Sequence, residues 1–437
     1  MQFKNLLWLQ TGRSVSRCRV GGAAYVLGRA KPGAKMSTST KPLQGLRVLD
    51  VSNFMAGPFC ATQLAEFGAE VIKVELPGFG DPLRKFGTPT ATGDTLCWLS
   101  EARNKKSVTL DLRKPEGAAI LKRLVEKSDI LVENFQTGTM EDWGVGWDIL
   151  HAVNPGLVMV RITGYGQTGP NAHRPGFGRI ANAFGGLSFL AGDPDRPPST
   201  PGSPTIPDYL AGLYGAFGAL MAIRGRELTG EGQYIDIGLY EPIFRFLDEL
   251  PAAYHFNGFI RERMGPAMKN ALPHSHYPTK DGRWIAIACT NDKIFERLAN
   301  LMGTPEVAGE GKWGTFPKRD ADRPAVDAAV THWTTSLNRD EALGLCEEAQ
   351  VPCGSVYGID EIFEDAQYQF RGNIRFIEDP RSSVEVALQD TVPRLSATPG
   401  GIESLGPGLG DHNREIYLEL LGMTEAELTG YQDAQII

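Results

Sequence analysis

The feature of this sequence that most restricts its fold is an alternation of short apolar runs with helical patterns. Residues 46–52 (LRVLDVS) and 70–75 (EVIKVE) are apolar runs, and the helical pattern between them begins near Ala56 and stops at Gly68. Strand, helix and strand within roughly thirty residues form a βαβ unit, in which a right-handed crossover makes the two strands parallel. The sequence therefore predicts an α/β fold built on a parallel sheet.

The same alternation continues beyond the first unit. Further strands are predicted at residues 107–112, 129–134 and 157–163, and helices at 115–127 and 147–153. The turn after the first strand (NFMAGP, 53–58) has one glycine, where a dinucleotide-binding loop needs the pattern G-x-G-x-x-G. We therefore expect a Rossmann-like large domain that does not bind NAD.

The middle of the chain contains a long Gly/Pro-rich region at 164–207, which is too polar and broken to predict regular structure. Loops of this length inside a compact domain are usually functional or disordered. The region ends at Asp208, where DYLAGLYGAFGALMAIRG (208–225) predicts a helix of mostly apolar, small residues. Such a helix is expected to be buried in a core or a subunit interface.

The second half predicts a strand at 233–239 and a helix at 241–257, followed by a polar connector. A second, smaller βα pattern begins near residue 265 and consists of a strand at 284–288 and helices at 292–302 and 323–337. The last predicted helix covers 413–421.

Composition restricts the partners. A chain of 437 residues exceeds what one hydrophobic core usually supports, so two domains are expected. A net charge of −8 gives no reason to expect nucleic acid or an anionic membrane as a partner, and no stretch is read as long enough to cross a bilayer. The six cysteines and seven histidines are dispersed, and the His274/His276 pair alone is weak support for a metal, so a metal-free intracellular protein is predicted.

The first 49 residues contain no Asp or Glu, and their charged residues are Lys and Arg. An Arg-rich, Ser-bearing and acid-free composition is typical of a mitochondrial transit peptide. We predict such a leader at residues 1–40 and a location in the mitochondrial matrix. A disordered basic tail is the alternative, and initiation at Met36 would give a cytosolic form.

Nine short motifs, in the same order along residues 41–437, resemble those of the class III CoA-transferase family. This family contains formyl-CoA and carnitine CoA-transferases and an α-methylacyl-CoA racemase branch. Each motif alone is weak, but nine in order are specific. They are DVSNFMAGP (50–58), GAEVIKVE (68–75), RNKKSVTLDLRKPEG (103–117), DILVENF (129–135), GYGQTGP (164–170), GEGQYID (230–236), TKDG (279–282), VPCG (351–354) and GLGDHN (408–413).

The resemblance implies an architecture that composition alone does not give. A large domain is formed by both ends of the chain, a small α/β domain lies between them, and two subunits interlock as a homodimer. On this basis we expect a leader (1–40), the N-terminal part of the large domain (41–225), a linker (226–264), the small domain (265–345), and a return segment with the C-terminal part of the large domain (346–437).

The resemblance also implies that Asp208 is the catalytic nucleophile. Moving CoA between two acids requires a covalent relay, and a carboxylate that is ionised at neutral pH can attack an acyl-CoA without a base. A helix N-terminus would favour its charge. The alternative is that Asp208 only caps the helix, although capping and catalysis can coexist.

The family's CoA contacts map onto positions at strand ends and helix starts. CoA and acyl-CoA are expected as substrates, with no tightly bound cofactor. Lys105, Lys106 and Arg113 are candidates for the phosphates, and a mobile loop at 265–276 that begins with Gly265 is expected to close over the thioester. The matching CoA positions are Met55, Ala56, Leu110 through Arg113, Asn134, Phe135, Gln136, Phe177 and Gly178.

Several positions depart from the formyl-CoA transferase pattern. Met55 replaces a glutamine, Gly178 replaces an acidic residue, and Asp142 replaces an arginine. Loss of the acid beside the inferred nucleophile suggests that Arg179, aided by Arg174, holds the distal carboxylate of a dicarboxylate acceptor. The alternative is that these arginines point to solvent.

Two rival functions remain. Racemisation on this fold needs a histidine at position 177, where this chain has Phe177, and a non-catalytic CoA-ester binder would not need Asp208. The predicted activity is CoA transfer from an acyl-CoA to a small carboxylic acid. A mitochondrial location favours succinyl-CoA as donor and a dicarboxylate such as glutarate, itaconate or hydroxymethylglutarate as acceptor.

Overall fold

A computed structural model describes residues 40–200 and 205–437, together with two short strands near the N-terminus. These strands, β1 (Cys18–Val20) and β2 (Ala23–Tyr25), pair antiparallel. The rest of the predicted leader lies outside the described residues, so its assignment as a transit peptide stays a prediction.

The structure contains a six-stranded sheet in which every neighbouring pair is parallel. Its strands are β3 (Arg47–Asp50), β4 (Glu70–Glu75), β5 (Lys105–Thr109), β6 (Ile130–Glu133), β7 (Val158–Thr163) and β8 (Tyr234–Gly238). Their order, β5-β4-β3-β6-β7-β8, is that of a doubly wound Rossmann-like sheet, and this confirms the predicted parallel α/β fold. Because β8 is an integral strand, the linker predicted at 226–264 starts too early.

In the part of the chain that the structure describes, ten helices accompany these strands, and some of them pack on each face of the sheet. They are α1 (Ala56–Glu66), α2 (Leu96–Glu101), α3 (Pro115–Val125), α4 (Thr139–Asp142), α5 (Trp147–Val153), α6 (Gly178–Phe184), α7 (Leu187–Leu190), α8 (Ile206–Thr229), α9 (Tyr240–Arg245) and α10 (Leu250–Asn257), with a 3-10 turn at Pro82–Lys85. The irregular structure predicted for 164–207 is therefore wrong at α6 and α7. The helix predicted at 241–257 is interrupted, because Asp248 adopts a left-handed φ of 46°.

Neighbouring residues of each strand enter different cores, as expected for a sheet buried on both faces. Leu49 and Ile72 pack with α3, whereas Val48 and Val71 pack with α1 and α8. The close contact between α1 and α8 needs small residues, since a Cβ on Gly212 would lie 2.6 Å from the carbonyl oxygen of Ala56. This packing brings the start of α8 to the turn between β3 and α1.

Among the described residues, α8 is the single helix whose length and composition would suffice to cross a membrane. The prediction that no stretch is long enough to cross a bilayer is therefore wrong for this helix. Ala211, Ala216 and Ala219 of this helix are buried in the core beside the sheet. A helix buried in the core of a globular protein can have the same length and apolar composition as a membrane-spanning helix.

The second part of the chain carries a three-stranded antiparallel sheet of order β11-β10-β9. Its elements are β9 (His274–Pro278), β10 (Trp284–Ala288), α11 (Asp292–Leu301), a 3-10 turn (Pro305–Val307), α12 (Phe316–Ala321), α13 (Arg323–Ser336), α14 (Arg339–Glu348) and β11 (Cys353–Ser355). Since β11 pairs with β10, this sheet extends past the boundary predicted at residue 345.

The C-terminal part returns to the core of the large sheet. Its elements are α15 (Ile359–Glu364), α16 (Ala366–Arg371), a hairpin of β12 (Ile374–Asp379) and β13 (Val384–Gln389), a π-helical segment (Glu415–Leu420) and α17 (Glu425–Asp433). The Tyr417 hydroxyl donates to the Thr109 carbonyl at 2.7 Å, and Asp111 N donates to the Ile436 carbonyl at 2.8 Å. The prediction that the helix at 413–421 is the last one is wrong, because α17 follows it with a capping box formed by Thr424 and Glu427.

Candidate active site

A crevice opens where the winding of the sheet reverses, between the carboxyl ends of β3 and β6. Two asparagines join these strand ends: Asn53 N donates to Asn134 Oδ1, and Asn134 Nδ2 donates to the Asn53 carbonyl, both at 2.7 Å. Ligands of doubly wound sheets bind at this position. The candidate residues that follow β5 and β6 meet here.

A buried group of charged side chains supports the turn after β3. Lys105 Nζ lies 2.9 Å from Asp50 Oδ2, and Lys73 Nζ lies 3.5 Å from Asp50 Oδ1 and 2.9 Å from Asp81 Oδ2. Burial opposes ionisation of Asp50, but Lys105 and Lys73 together lower its pKa below the ordinary value. The carboxylate of Asp81 accepts from Phe54 N at 3.1 Å and so fixes Phe54, whose φ of 62° is left-handed.

Two of the three proposed phosphate ligands are therefore wrong. Lys105 donates to Asp50 and to the Pro58 carbonyl inside the core, and Lys106 lies between Glu70 and Glu415 at 2.7 and 2.6 Å. Both belong to the amino end of β5, whereas the crevice lies at the carboxyl ends of the strands.

Arg113 remains as a phosphate candidate. Its guanidinium contacts Asp111 through two bonds of 2.7 and 2.8 Å, and its side chain is 58% exposed. An exposed ion pair of this kind contributes little stability, so an anionic ligand can compete for the arginine. Lys114 lines an adjacent polar recess of about 470 Å³ together with Arg113.

A cleft of about 520 Å³ runs along the crevice and is mostly apolar. Six predicted residues line it, namely Leu110 through Arg113, Phe135 and Phe177. A smaller recess of about 180 Å³ shares Phe135 and Phe177 with the cleft and adds further predicted residues, which are Asn134, Gln136 and Arg174. The structure thus brings most of the predicted CoA positions together.

Met55 and Ala56 do not contribute side chains to the cleft. Met55 is 9% exposed and Ala56 is 2% exposed, and they pack into two different apolar clusters. The preceding residue, Phe54, lines the cleft instead. The left-handed conformation at Phe54 turns its ring towards the cleft. No pattern in the sequence predicts this backbone conformation.

Glu133 was missed by the sequence analysis. It is buried at the end of β6, accepts from Phe135 N at 2.8 Å, and pairs with Arg161 at 2.8 Å. Burial raises the pKa of Glu133 to about 7, although Arg161 opposes this shift. Glu133 therefore holds the loop of Phe135 in place on the floor of the cleft.

Asp208 lies in the first turn of α8, two residues after the first helical position, Ile206. It is not the capping residue, since Thr205 precedes the helix. The Thr205 hydroxyl donates to Asp208 Oδ2. Burial raises the pKa of Asp208, whereas the hydrogen bond from Thr205 lowers it. The helix predicted to begin at Asp208 therefore begins two residues earlier, and the alternative that Asp208 only caps the helix is wrong, while a helix N-terminus beside its carboxylate is present.

Gly178 contacts the Asp208 carboxylate directly. A Cβ on Gly178 would lie 2.1 Å from Asp208 Oδ2 and 2.1 Å from Thr205 Oγ1, so any side chain at 178 would require these two side chains to move. The position of the Asp208 carboxylate seen here therefore depends on glycine at position 178. Phe177 precedes Gly178 in the chain and lines the cleft, so the Asp208 carboxylate lies against the residue that follows part of the cleft lining.

The remaining candidates differ in position. Arg179 follows Gly178 on the exposed side of α6, and Arg174 lines the smaller recess and is also exposed. Gly265 N donates to the Gly192 carbonyl at 3.0 Å, so the loop predicted to close over the thioester is joined here to the segment after α7. The His274 and His276 pair lies on β9 of the antiparallel sheet.

Comparison with known proteins then settles the family. The family model described as CoA-transferase family III matches residues 43–413. The chain belongs to this family. It is therefore a CoA-transferase, an enzyme that uses CoA thioesters as substrates, as the nine motifs predicted.

Three relatives illustrate this membership. The beta subunit of succinyl-CoA–L-malate CoA-transferase from Chloroflexus aurantiacus is 50% identical over 402 residues, which are 92% of this chain and 99% of the relative. Succinyl-CoA:glutarate CoA-transferase from Mus musculus is 32% identical over 95% of this chain and 94% of the relative. The crystal structure of a CAIB/BAIF family protein from Brucella suis superimposes with a TM-score of 0.78 at 33% identity, covering 87% of this chain and all of that chain.

Proposed function

We propose that this CoA-transferase moves CoA from succinyl-CoA to a small dicarboxylate, with Asp208 as nucleophile. The observation that carries the proposal is the position of the Asp208 carboxylate against Gly178, the residue that follows Phe177 of the cleft lining. The names of the Chloroflexus and mouse relatives, which specify succinyl-CoA with malate or glutarate, support this choice of donor and of acceptor class.

The proposed reaction is a relay of two covalent intermediates. One oxygen of the Asp208 carboxylate attacks the carbonyl carbon of succinyl-CoA, CoA thiolate leaves, and a mixed anhydride forms. The thiolate then attacks Cγ of Asp208 and releases succinate, which leaves an aspartyl-CoA thioester. The acceptor carboxylate repeats both steps in reverse, so that CoA leaves on the acceptor and Asp208 is regenerated.

The cleft suggests how CoA is held. Its apolar walls at Phe135 and Phe177 suit the pantetheine arm, and Arg113 at the exposed rim suits a phosphate group. This orientation places the thioester next to Gly178 and the nucleotide towards Arg113 and Lys114.

Isotope exchange tests the proposal. Purified protein with succinyl-CoA and ¹⁴C-succinate is expected to move label into the thioester, and malate or glutarate is expected to yield the corresponding CoA ester by mass spectrometry. A protein that binds CoA esters without catalysis gives no exchange. Deuterium exchange at the α-carbon of 2-methylacyl-CoA, without transfer, would support the racemase alternative instead.

Replacing Arg179 with methionine is expected to raise KM for dicarboxylate acceptors at least tenfold. Arg179 is exposed one residue after Gly178, and a guanidinium fork suits the distal carboxylate of the acceptor. If the bound acceptor buries this contact, its loss costs about 2–5 kcal/mol, the typical figure for a buried charged pair. The measurement is steady-state kinetics with glutarate and with butyrate as a monocarboxylate of similar length.

Arg196 is a suitable matched control, because it is an exposed arginine of the same region that lies 3.8 Å from Asp193. Arg196→Met is expected to leave both acceptors unaffected. If Arg179→Met raises KM for glutarate and for butyrate equally, or raises neither, the arginine does not bind the second carboxylate.

The interlocked homodimer is also a proposal. The face of α8 that points away from the core leaves Leu213, Phe217 and Met221 at least half exposed in the single chain. Apolar surface of this kind is typical of subunit interfaces. Sedimentation equilibrium that gives the mass of one chain would refute it.

We further propose that residues 1–40 direct the protein to mitochondria. A fluorescent protein carrying only these residues is expected to co-localise with a mitochondrial marker, since the segment lacks acidic residues and is rich in Arg and Ser. The matched control is the same fusion with Arg13, Arg17 and Arg19 changed to glutamine, which is expected to stay cytosolic. Diffuse cytosolic fluorescence of the unaltered fusion would contradict the proposal.

A further inference from the structure

The side chain of Thr205 does not play the usual role of its position. Thr205 precedes α8, where a threonine oxygen normally accepts from a backbone N–H of the first turn. Here its side chain makes no capping hydrogen bond to the backbone, and the hydroxyl donates to Asp208 Oδ2 instead. The hydroxyl is therefore directed at the inferred nucleophile.

The start of α8 offers fewer backbone donors than an ordinary helix. Pro207, at the second helical position, has no N–H group. A helix N-terminus normally supplies several free N–H groups to a nearby anion, and one of them is missing immediately before Asp208. The Thr205 hydroxyl supplies a donor at the place where the backbone lacks one.

The other side of Asp208 Oδ2 is closed by Gly178. A side chain at position 178 would overlap both Asp208 Oδ2 and Thr205 Oγ1. The hydroxyl of Thr205 and the carboxylate oxygen of Asp208 fill the volume that a side chain at 178 would need. The hydrogen bond between them therefore depends on the glycine. This arrangement holds Oδ2 and leaves Oδ1 as the oxygen available for attack on a thioester.

We propose that the Thr205 hydroxyl is a catalytic hydrogen-bond donor that stabilises the negative charge on Asp208 Oδ2 whenever Cγ of Asp208 is attacked. This rests on the proposed function of Asp208 as nucleophile. When CoA thiolate attacks Cγ of the anhydride, the carbonyl electron pair moves onto Oδ2. The pair returns as the Cγ–Oδ1 bond breaks, and Oδ1 leaves with the donor acid. The same charge forms when the acceptor carboxylate attacks Cγ of the aspartyl-CoA thioester and the thiolate leaves.

The first attack differs from these steps. When Oδ1 attacks the acyl-CoA, the negative charge develops on the carbonyl oxygen of the substrate and not on Oδ2. Thr205 therefore contributes to formation of the aspartyl-CoA thioester and to its breakdown more than to binding of the acyl-CoA. Donors directed at a developing oxyanion typically change kcat by about 10²–10³-fold.

The test compares Thr205→Val, which keeps the branched shape and loses the hydroxyl, with Thr205→Ser, which keeps the hydroxyl. Rapid mixing with succinyl-CoA, followed by an acid quench and intact-protein mass spectrometry, measures how fast the aspartyl-CoA thioester forms. Thr205→Val is expected to slow formation of the thioester at least tenfold, while its KM for succinyl-CoA stays within about threefold of wild type. Thr205→Ser is expected to form the thioester at a rate within about threefold of wild type. Thr335→Val, a surface variant in α13, is expected to behave as wild type.

The pH profile gives an independent readout. The hydrogen bond from Thr205 lowers the pKa of Asp208, so its loss raises that pKa further. Because Asp208 attacks as the carboxylate, Thr205→Val is expected to lose activity at a higher pH than wild type as the pH falls. Thr205→Ser is expected to retain the wild-type acid limb.

Thioester formation in Thr205→Val within twofold of wild type, or equal impairment in Thr205→Ser and Thr205→Val, would overturn the role of the hydroxyl. If Thr205→Val does not fold, Thr205→Ser and Thr205→Ala, both smaller than threonine, provide the same comparison. Failure of the proposed function is distinguishable, since wild-type protein would then form no aspartyl-CoA thioester at all.

Discussion

Asp208→Asn is expected to lower the rate of CoA transfer by at least about 10⁴-fold, the scale of loss when a nucleophile is removed from an otherwise intact site. The amide has the same shape as the carboxylate and still accepts from Thr205, but it is a very weak nucleophile. CoA-ester affinity, measured by calorimetry, is expected to stay within a fewfold, because the cleft residues are unchanged. Hydroxylamine added during turnover is expected to modify Asp208 in wild type only.

Asp148 provides the matched control for this substitution. It is an exposed aspartate in the first turn of α5, the same setting within a helix as Asp208 in α8, but it lies outside the residues that line the cleft. Asp148→Asn is expected to cost only a few tenths of a kcal/mol in helix stability and no activity. If Asp208→Asn retains activity within tenfold of wild type, with deamidation excluded by mass spectrometry, the covalent relay through Asp208 is wrong.

The parallel sheet could be predicted from the sequence because its strands are short, continuous apolar runs. The bounds of β4, Glu70–Glu75, and of α5, Trp147–Val153, are those predicted. The strand predicted at 107–112 lies instead at Lys105–Thr109. Two adjacent lysines indicate a solvated segment, and only the pairing of Lys105 with Asp50, a residue of another strand, allows this segment to enter the core.

The grouping of candidate residues around one cleft could be predicted where a family motif and a local element coincide, as for Phe135 and Arg113, which both line it. The details that depend on two distant segments could not. The sequence identifies Gly178 as a position without an acid. Only the fold shows that a Cβ at this position would lie 2.1 Å from the carboxylate oxygen of Asp208. Thr205 has a signal in the sequence, the spacing Thr-x-x-Asp at a helix start, but that spacing alone indicates a cap.

Lys105→Met is expected to lower the free energy of unfolding by about 3–5 kcal/mol, which is the typical cost of removing one partner of a buried ion pair. Lys105 donates to Asp50 at 2.9 Å and to the Pro58 carbonyl at 2.7 Å, and both charged side chains are fully buried. Without the lysine, Asp50 keeps hydrogen bonds from Ser52 and one more distant cation, Lys73 at 3.5 Å. The measurement is urea unfolding followed by circular dichroism, with the change read from the midpoint at a common slope.

The neighbouring lysine is the matched control, because the sequence treats the two alike. Lys106 is one third exposed and pairs with Glu70 and Glu415 near the surface, so Lys106→Met is expected to cost about 0–1 kcal/mol. The double variant Asp50→Asn/Lys105→Met is expected to recover much of the loss, since no unpaired charge remains and Lys73 keeps Asp81 at 2.9 Å. Equal destabilisation by Lys105→Met and Lys106→Met would show that Asp50 does not depend on Lys105, and that the turn carrying Asn53 and Phe54 is held by other contacts.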